Sequence, residues 1–227
     1  MIDQNQTVRE KILSSIRKNL SASAPFDAVH REHRRDGLSQ SAVFDSTAGG
    51  LNKTAASLVE EFRSNLEAVH GNCTLVPDME NVPPVVQLII DRIVPRRIAL
   101  SDSKTVRETI AAVATTAEVL ENAPANELFS CDVGITSAQW AIAETGTLVL
   151  ESEKEFARLT SLVPDVHICL LDASNVRRSM AEILEILKHD LNATTTFITG
   201  PSRTSDIELT LAIGVHGPRE LHVIVIG

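Results

Sequence analysis

Two polar turns near the end of the sequence carry the residue types best suited to bind and turn over a small anion. The first, GPSRTSDIE, follows the strand-like run ATTTFIT; the second is GVHGP. An apolar, β-branched run that breaks at Gly200-Pro201 reads as a strand leaving a sheet, and Ser202, Thr204, Ser205 and Asp206 then offer helix N-cap chemistry. The spacing predicts a helix start there. Free N–H groups at a helix start attract carboxylate or phosphate, and the planar fork of Arg203 can grip such a group with two hydrogen bonds. His216 stands between Gly214 and Gly217, where the backbone can approach a ligand and an imidazole is available as acid or base. Gly200, Ser202, Arg203, Thr204, Asp206 and Gly217 are therefore the expected ligand-binding set, with His216 the expected catalytic group. The competing reading pairs Arg203 with Asp206 and leaves His216 as a loop residue bonded to backbone.

A second candidate is AETGT, residues 143–147. Glu144 lies between an apolar run and Gly146, which permits a tight turn, so its carboxylate could serve as general base or nucleophile at a strand end; Thr145 and Gly146 complete the turn and join the ligand-binding set. The plainer alternative is a turn carboxylate bonded to nearby N–H groups. His167, in VHICLL, reads as a satisfied core histidine, Arg158 as a solvated helix residue within reach of the cleft, and Trp140 as a packing anchor. His30 and His33 share an H-x-x-H spacing without helical framing or nearby Cys, which makes a poor metal site.

The elements that must hold these groups alternate. Thr7 and Glu10 form a capping box ahead of a helical stripe, and residues 21–50 lack any sustained period, so residues 1–50 are expected to be a helical arm with a long loop. From 51 to 227 one α/β domain is expected. A helix carries Leu51, Ala55, Leu58, Phe62, Leu66 and Val69; CTLV is a strand, a helix spans Pro83–Ile93, and RIAL is a strand. A further helix runs from the TVRE cap through Val106, Ile110, Val113, Ala117 and Leu120. Residues 131–152 look like a hairpin that adds an antiparallel portion to the sheet. A short helix near 153–162, the strand VHICLLD, a helix with Val176, Met180, Ile183 and Leu187 on one face, and the strands TTTFIT, LTLAIG and LHVIVIG complete the order. The fold class expected is α/β, with a mixed, mainly parallel sheet flanked by helices and a cleft at the carboxyl ends of strands.

Composition narrows the function. The chain has 227 residues, 43% hydrophobic and 22% charged, with a net charge of −9 and 3% aromatic residues. That favours a folded core over disorder and argues against nucleic acid as a partner, since neither a basic footprint nor stacking platforms are present. No apolar run is long enough for a membrane span, and MIDQNQTVRE lacks the order of a signal peptide, so a cytoplasmic protein without membrane insertion is expected. Cys73, Cys131 and Cys169 are isolated, which points to reduced thiols rather than disulfides or an iron–sulfur framework. Neither GxGxxG nor GxxxxGK[ST] occurs, so no cofactor of the chain's own is expected.

AIAETGTLVL, RLTSLVPDVHI, GPSRTSDIELTLAIGVHGP and the terminal RELHVIVIG occur in order and, taken together, the chain resembles the lactate utilization protein C family, the stand-alone form of the LUD domain. The resemblance implies a fold related to sugar-phosphate isomerases and CoA transferases, and a role beside iron–sulfur partner subunits in oxidising L-lactate to pyruvate. Members of that family run on past the last strand with a short polar tail; the sequence stops at Gly227, so a site closed by such a tail would lack that piece. The expected function is thus a subunit or accessory factor of an L-lactate oxidation system, binding a small carboxylate or phosphate, with a homo-oligomer open to it. The alternatives are a stand-alone acyl or CoA transferase using Glu144, and a non-catalytic assembly protein.

Overall fold

A computed structural model describes residues 54–151, 158–188, 194–205, 211–213 and 217–227, together with Ser14, which is helical and exposed. The arm and loop expected over 1–50 otherwise lie outside the described residues, as do His30 and His33. The α/β fold is that of the unit Asn52–Gly227.

Helix α1, Ala55–Ala68, begins where Thr54 Oγ1 accepts from the Ser57 N–H at 3.3 Å, and it buries Val59, Phe62 and Leu66. Strand β1 is Asn72–Val76, and α2, Val82–Ile93, carries its prolines in the first turn, where their missing donors cost nothing. Strand β2 is Arg97–Leu100, and α3 is Lys104–Ala111. The long helix expected through Leu120 ends early. The Ala112 and Val113 N–H groups turn back to the Thr109 and Ile110 carbonyls, the Ala114 N–H donates to Gln87 Oε1 of α2 at 2.8 Å, and Glu118–Glu121 becomes strand β3. A short helix α4, Ala125–Leu128, leads to β4, Val133–Ala138.

Strands β5, Trp140–Ile142, and β6, Thr147–Glu151, form the expected hairpin, but it does not extend the main sheet. Ala141 and Leu148 face one apolar cluster while Ile142 and Val149 face another, so the hairpin is buried on both sides and forms its own layer. After β7, Val166–Asp172, comes β8, Val176–Arg177. Val176 is therefore in a strand, not on the following helix. That helix, α5 (Met180–Leu187), starts at a capping pair: Ser179 Oγ accepts from the Glu182 N–H, and Glu182 Oε2 accepts from the Arg178 N–H at 3.1 Å. Strand β9, Thr195–Ile198, joins the second sheet, β10, Arg203–Ser205, pairs antiparallel with β11, Leu211–Ile213, and β12 is Glu220–Ile226.

The main sheet has the order β1-β12-β7-β4-β2-β3, all parallel, and the second the order β8-β5-β6-β9. Helices α2 and α3 cover one face through Val86, Ile90, Val106 and Ile110; α1 and the second sheet cover the other, and α5 closes the outer side of the second sheet through Ile183 and Leu187. The α/β, mainly parallel architecture is the one expected. Among the described residues no helix is long and apolar enough to cross a membrane.

Candidate functional site

The two turns read as one corner do meet. The Ser202 N–H donates to the Pro218 carbonyl at 2.8 Å, and a Cβ on Gly217 would lie 3.1 Å from that of Ser202. Gly200, at φ 77°, lies against the end of α1, where an added Cβ would be 2.8 Å from the Val69 carbonyl oxygen. A strand begins here where a helix start was expected. Arg203, Thr204 and Ser205 are the strand β10, paired antiparallel with β11. Asp206, His216 and the side chains of Arg203 and Thr204 lie outside the described residues. The corner sits at the amino ends of β7 and β12, where the Arg219 N–H donates to the Asp165 carbonyl at 2.7 Å.

Glu144 is exposed, in a single 3-10 turn between β5 and β6. Its Oε1 accepts from the Met180 N–H at 2.9 Å and its own N–H donates to the Arg178 carbonyl, so the carboxylate complements the start of α5. Gly146 has φ 63°, and a Cβ there would stand 2.4 Å from the Leu66 amide nitrogen. With Asn65 Nδ2 donating to the Ala143 carbonyl at 2.8 Å, this turn is clamped onto α1. Thr145 Oγ1 meets Thr147 Oγ1, which in turn meets Thr199 Oγ1, each at 2.7 Å.

Among the described residues a cleft lies elsewhere. A cleft of about 460 Å³ opens at the carboxyl ends of β4, β7 and β12, floored by Ala138, Leu171 and Ile226 and walled by Thr105, Ser137, Gln139, Trp140, Asp172 and Asn175. This is where parallel sheets bind ligands, as expected, yet none of the residues singled out in the sequence for binding or catalysis is among its described lining. The cleft was hidden because its polar groups come from separate elements: Thr105 from α3, Ser137 and Gln139 from the end of β4, and Asp172 and Asn175 from the end of β7 and the turn after it. Each is an ordinary residue until the register brings it to the rim. Ser137 Oγ donates to Ser103 Oγ at 3.0 Å, and Ser103, the N-cap of α3, makes no side-chain bond to the helix. The start of α3 thus keeps its first-turn N–H groups free of a side-chain cap. Trp140, expected only to pack, both packs against Ile142 and Ile183 and lines the cleft; its Nε1–H donates to Glu151 Oε1 at 3.2 Å, and the Arg177 guanidinium lies 4.6 Å from its ring centroid.

His167 is a core residue, as expected, but only half satisfied. Its Nε2 lies 2.8 Å from Thr136 Oγ1, while Nδ1 has no partner. Burial, and secondarily the nearby His222, push its pKa from an ordinary 6.5 down to about 3, so the ring is neutral. Cys131 and Cys169 are buried free thiols, and burial pushes the Cys73 thiol up to about 12. Among the described residues no group of three His, Cys, Asp or Glu side chains could hold a metal ion.

Fold and cleft define an α/β protein with a mainly parallel sheet and a ligand-sized opening at its carboxyl edge. The LUD domain profile matches residues 59–226, and the chain belongs to the LUD domain family. It is 44% identical over 98 residues to the uncharacterized protein NMB1437 of Neisseria meningitidis, a match covering 42% of each chain. It is 39% identical over 104 residues to the lactate utilization protein C of Deinococcus radiodurans, covering 44% of this chain and 49% of that one. These matched stretches span less than half of the two relatives. A longer match, 27% identical over 235 residues, joins 96% of this chain to 97% of the lactate utilization protein C of Oceanobacillus iheyensis. A crystal structure of a DUF162 family protein from Deinococcus radiodurans shares the fold with a TM-score of 0.59 and 23% identity, covering 77% of this chain and 99% of that one.

Proposed function

We propose that the chain serves lactate utilization as a non-redox subunit or accessory factor that binds a small carboxylate, L-lactate or pyruvate, while iron–sulfur partner subunits carry the electrons. The observation that carries this reading is the match along 96% of the chain to a lactate utilization protein C. The isolated cysteines support the division of labour, because a four-iron cluster needs ligands this chain does not group. The cleft supports the ligand class. The Thr105 hydroxyl, the Asn175 amide and the uncapped start of α3 are donors suited to carboxylate oxygens, Ser137 lines the same wall, and the apolar floor suits a methyl group.

Trp140 is the only tryptophan and sits in the cleft wall, so its fluorescence reports occupancy directly. Titration with L-lactate, pyruvate and inorganic phosphate is expected to change the emission of the unaltered protein and of Arg203→Ala, and to leave Ser137→Ala/Asn175→Ala unchanged. The opposite pattern moves the site to the Ser202–Gly217 corner, and unchanged emission in all three removes the ligand from the proposal. Independently, deleting the gene is expected to abolish growth on L-lactate as sole carbon source; normal growth would end the lactate reading. Glu144 is read as a structural carboxylate, because its oxygen is occupied by the α5 backbone.

A further inference from the structure

One arginine beside the cleft is fixed in place without a carboxylate to fix it. Arg177 is half-buried, in the two-residue strand β8 that pairs with β5, where Ala141 lies beside Val176 and Ile142 beside Arg177. Ala141 and Val176 belong to the inner apolar cluster, whereas Ile142 belongs to the outer one against which Trp140 packs, so strand alternation puts the Arg177 side chain on the Trp140 face of the second sheet. Its guanidinium stands 4.6 Å from the Trp140 ring centroid, and its Nη1 donates to the Ser174 carbonyl at 2.7 Å and to the Val176 carbonyl at 3.2 Å. Those two carbonyls flank Asn175. Trp140 and Asn175 both line the cleft, so the guanidinium is anchored to two neighbouring parts of the cleft wall.

The bonds at Nη1 leave the other edge of the fork. Nε–H and one Nη2–H point the same way, spaced to meet both oxygens of one carboxylate, and among the described residues neither nitrogen has a hydrogen-bond partner. The charge of the cleft calls for such a cation. In its described lining the one charged side chain is Asp172, whose Oδ1 accepts from the Ser174 N–H and hydroxyl, so the lining by itself repels an anion. The basic side chains of α3 at this end of the sheet are already paired, Lys104 with Glu108 at 3.4 Å and Arg107 with Asp102 at 2.5 Å. Arg177 is in no ion pair among the described residues, and its charge is available to a ligand.

We propose that Arg177 is the carboxylate anchor of the cleft, taking both oxygens of a 2-hydroxy or 2-oxo monocarboxylate on Nε and Nη2 while the rest of the acid lies toward the apolar floor; this rests on the reading of the cleft as a carboxylate site. Stacking on Trp140 and the two carbonyl bonds hold the guanidinium before a ligand arrives, so little side-chain freedom is lost on binding. The anchor also selects. In the uncharged amide of the same acid an NH2 group replaces one oxygen and would set its N–H groups against those of the fork, so the amide is rejected although its shape is nearly the same. A lysine at this position would keep the charge but not the paired geometry.

Affinities for an acid and for its amide, measured on the same variants by calorimetry, separate an anchor from a structural arginine. The unaltered protein is expected to bind L-lactate at least about tenfold more tightly than L-lactamide, and Arg177→Gln to lose that preference with its lactamide affinity unchanged. Gln still offers an amide to a backbone carbonyl and a side chain to cover Trp140. Arg177→Lys is expected to bind L-lactate about tenfold more weakly than the unaltered protein and lactamide equally well, and it carries the test if Arg177→Gln fails to fold. An arginine that only supports β8 would, on replacement, weaken acid and amide alike. That result, or a full preference for the acid that survives in both variants, overturns the anchor and leaves the cleft reading standing. Binding of neither compound to the unaltered protein overturns the cleft reading and the anchor with it.

Discussion

Acid should weaken this fold through one buried ring. His167 is fully buried, and its pKa falls from an ordinary 6.5 to about 3 because the charged form loses its water and faces His222. The unfolded chain binds this proton below about pH 6.5 and the folded one does not until about pH 3, so between those values the unfolded state holds more protons and stability drops as pH falls. Each pH unit inside that window costs on the order of 1 kcal/mol, and the loss between pH 6.5 and pH 4.5 is roughly 2–3 kcal/mol. For a chain of this size that corresponds to a fall of roughly 5–11 °C in melting temperature. Carboxylates held below their usual range, Glu118 by Arg97, Glu220 by Arg92, and Asp132 by the Arg96 and Arg97 backbone N–H groups despite the opposing effect of burial, also lose their contribution as pH falls, so the difference between two proteins is the telling quantity. His167→Gln keeps an amide near Thr136 and cannot titrate. Its melting temperature, followed by circular dichroism from neutral pH to about pH 4.5, is expected to fall less than that of the unaltered protein by that margin; parallel curves for the two would refute the assignment of acid lability to His167.

Other outcomes depend on single contacts. Gly146→Ala places a Cβ 2.4 Å from the Leu66 amide at a φ of 63°, so it should destabilise by more than about 2 kcal/mol in chemical denaturation while Gly217→Ala, with 3.1 Å to a side-chain atom, costs less. Glu144→Ala removes a helix-start carboxylate and should cost about 1 kcal/mol with the ligand-induced Trp140 signal intact, whereas loss of that signal at unchanged stability would restore a site role. Cys73, its thiol pushed up to about 12, should react with iodoacetamide in the native protein at pH 8 at least about a hundredfold more slowly than in urea, as read by mass spectrometry.

Regular apolar spacing made the layers legible in the sequence. Phe62 and Leu66 on α1, Val86 and Ile90 on α2, and the run VHICLLD each bury as their period requires. Spacing misled where one pattern serves two elements: Ala117 and Leu120 continue the stripe of α3 but come after the helix has closed at Ala112 and the Ala114 N–H has gone to Gln87 Oε1, and Val176 precedes a cap at Ser179. The Ser202–Gly217 contact was legible because both turns carry backbone-permissive residues. The cleft was not. Thr105, Ser137 and Asn175 acquire a common purpose only through the order β12-β7-β4-β2, which depends on long-range pairing that no local motif encodes.

That order also has a kinetic side. Strand β1 pairs with β12, and Asn72 bonds a carbonyl 149 residues further along, at Leu221. A strand emerging early in synthesis therefore waits for one made near the end of this stretch, with Leu75 on its flank 45% exposed even after pairing. Loop closure of that span is entropically slow, and until it happens both edges of β1, not only its outer one, are open to other chains. During production the nascent protein should be most vulnerable to association through this strand, and holding β1 covered in that interval is the task a chaperone would perform.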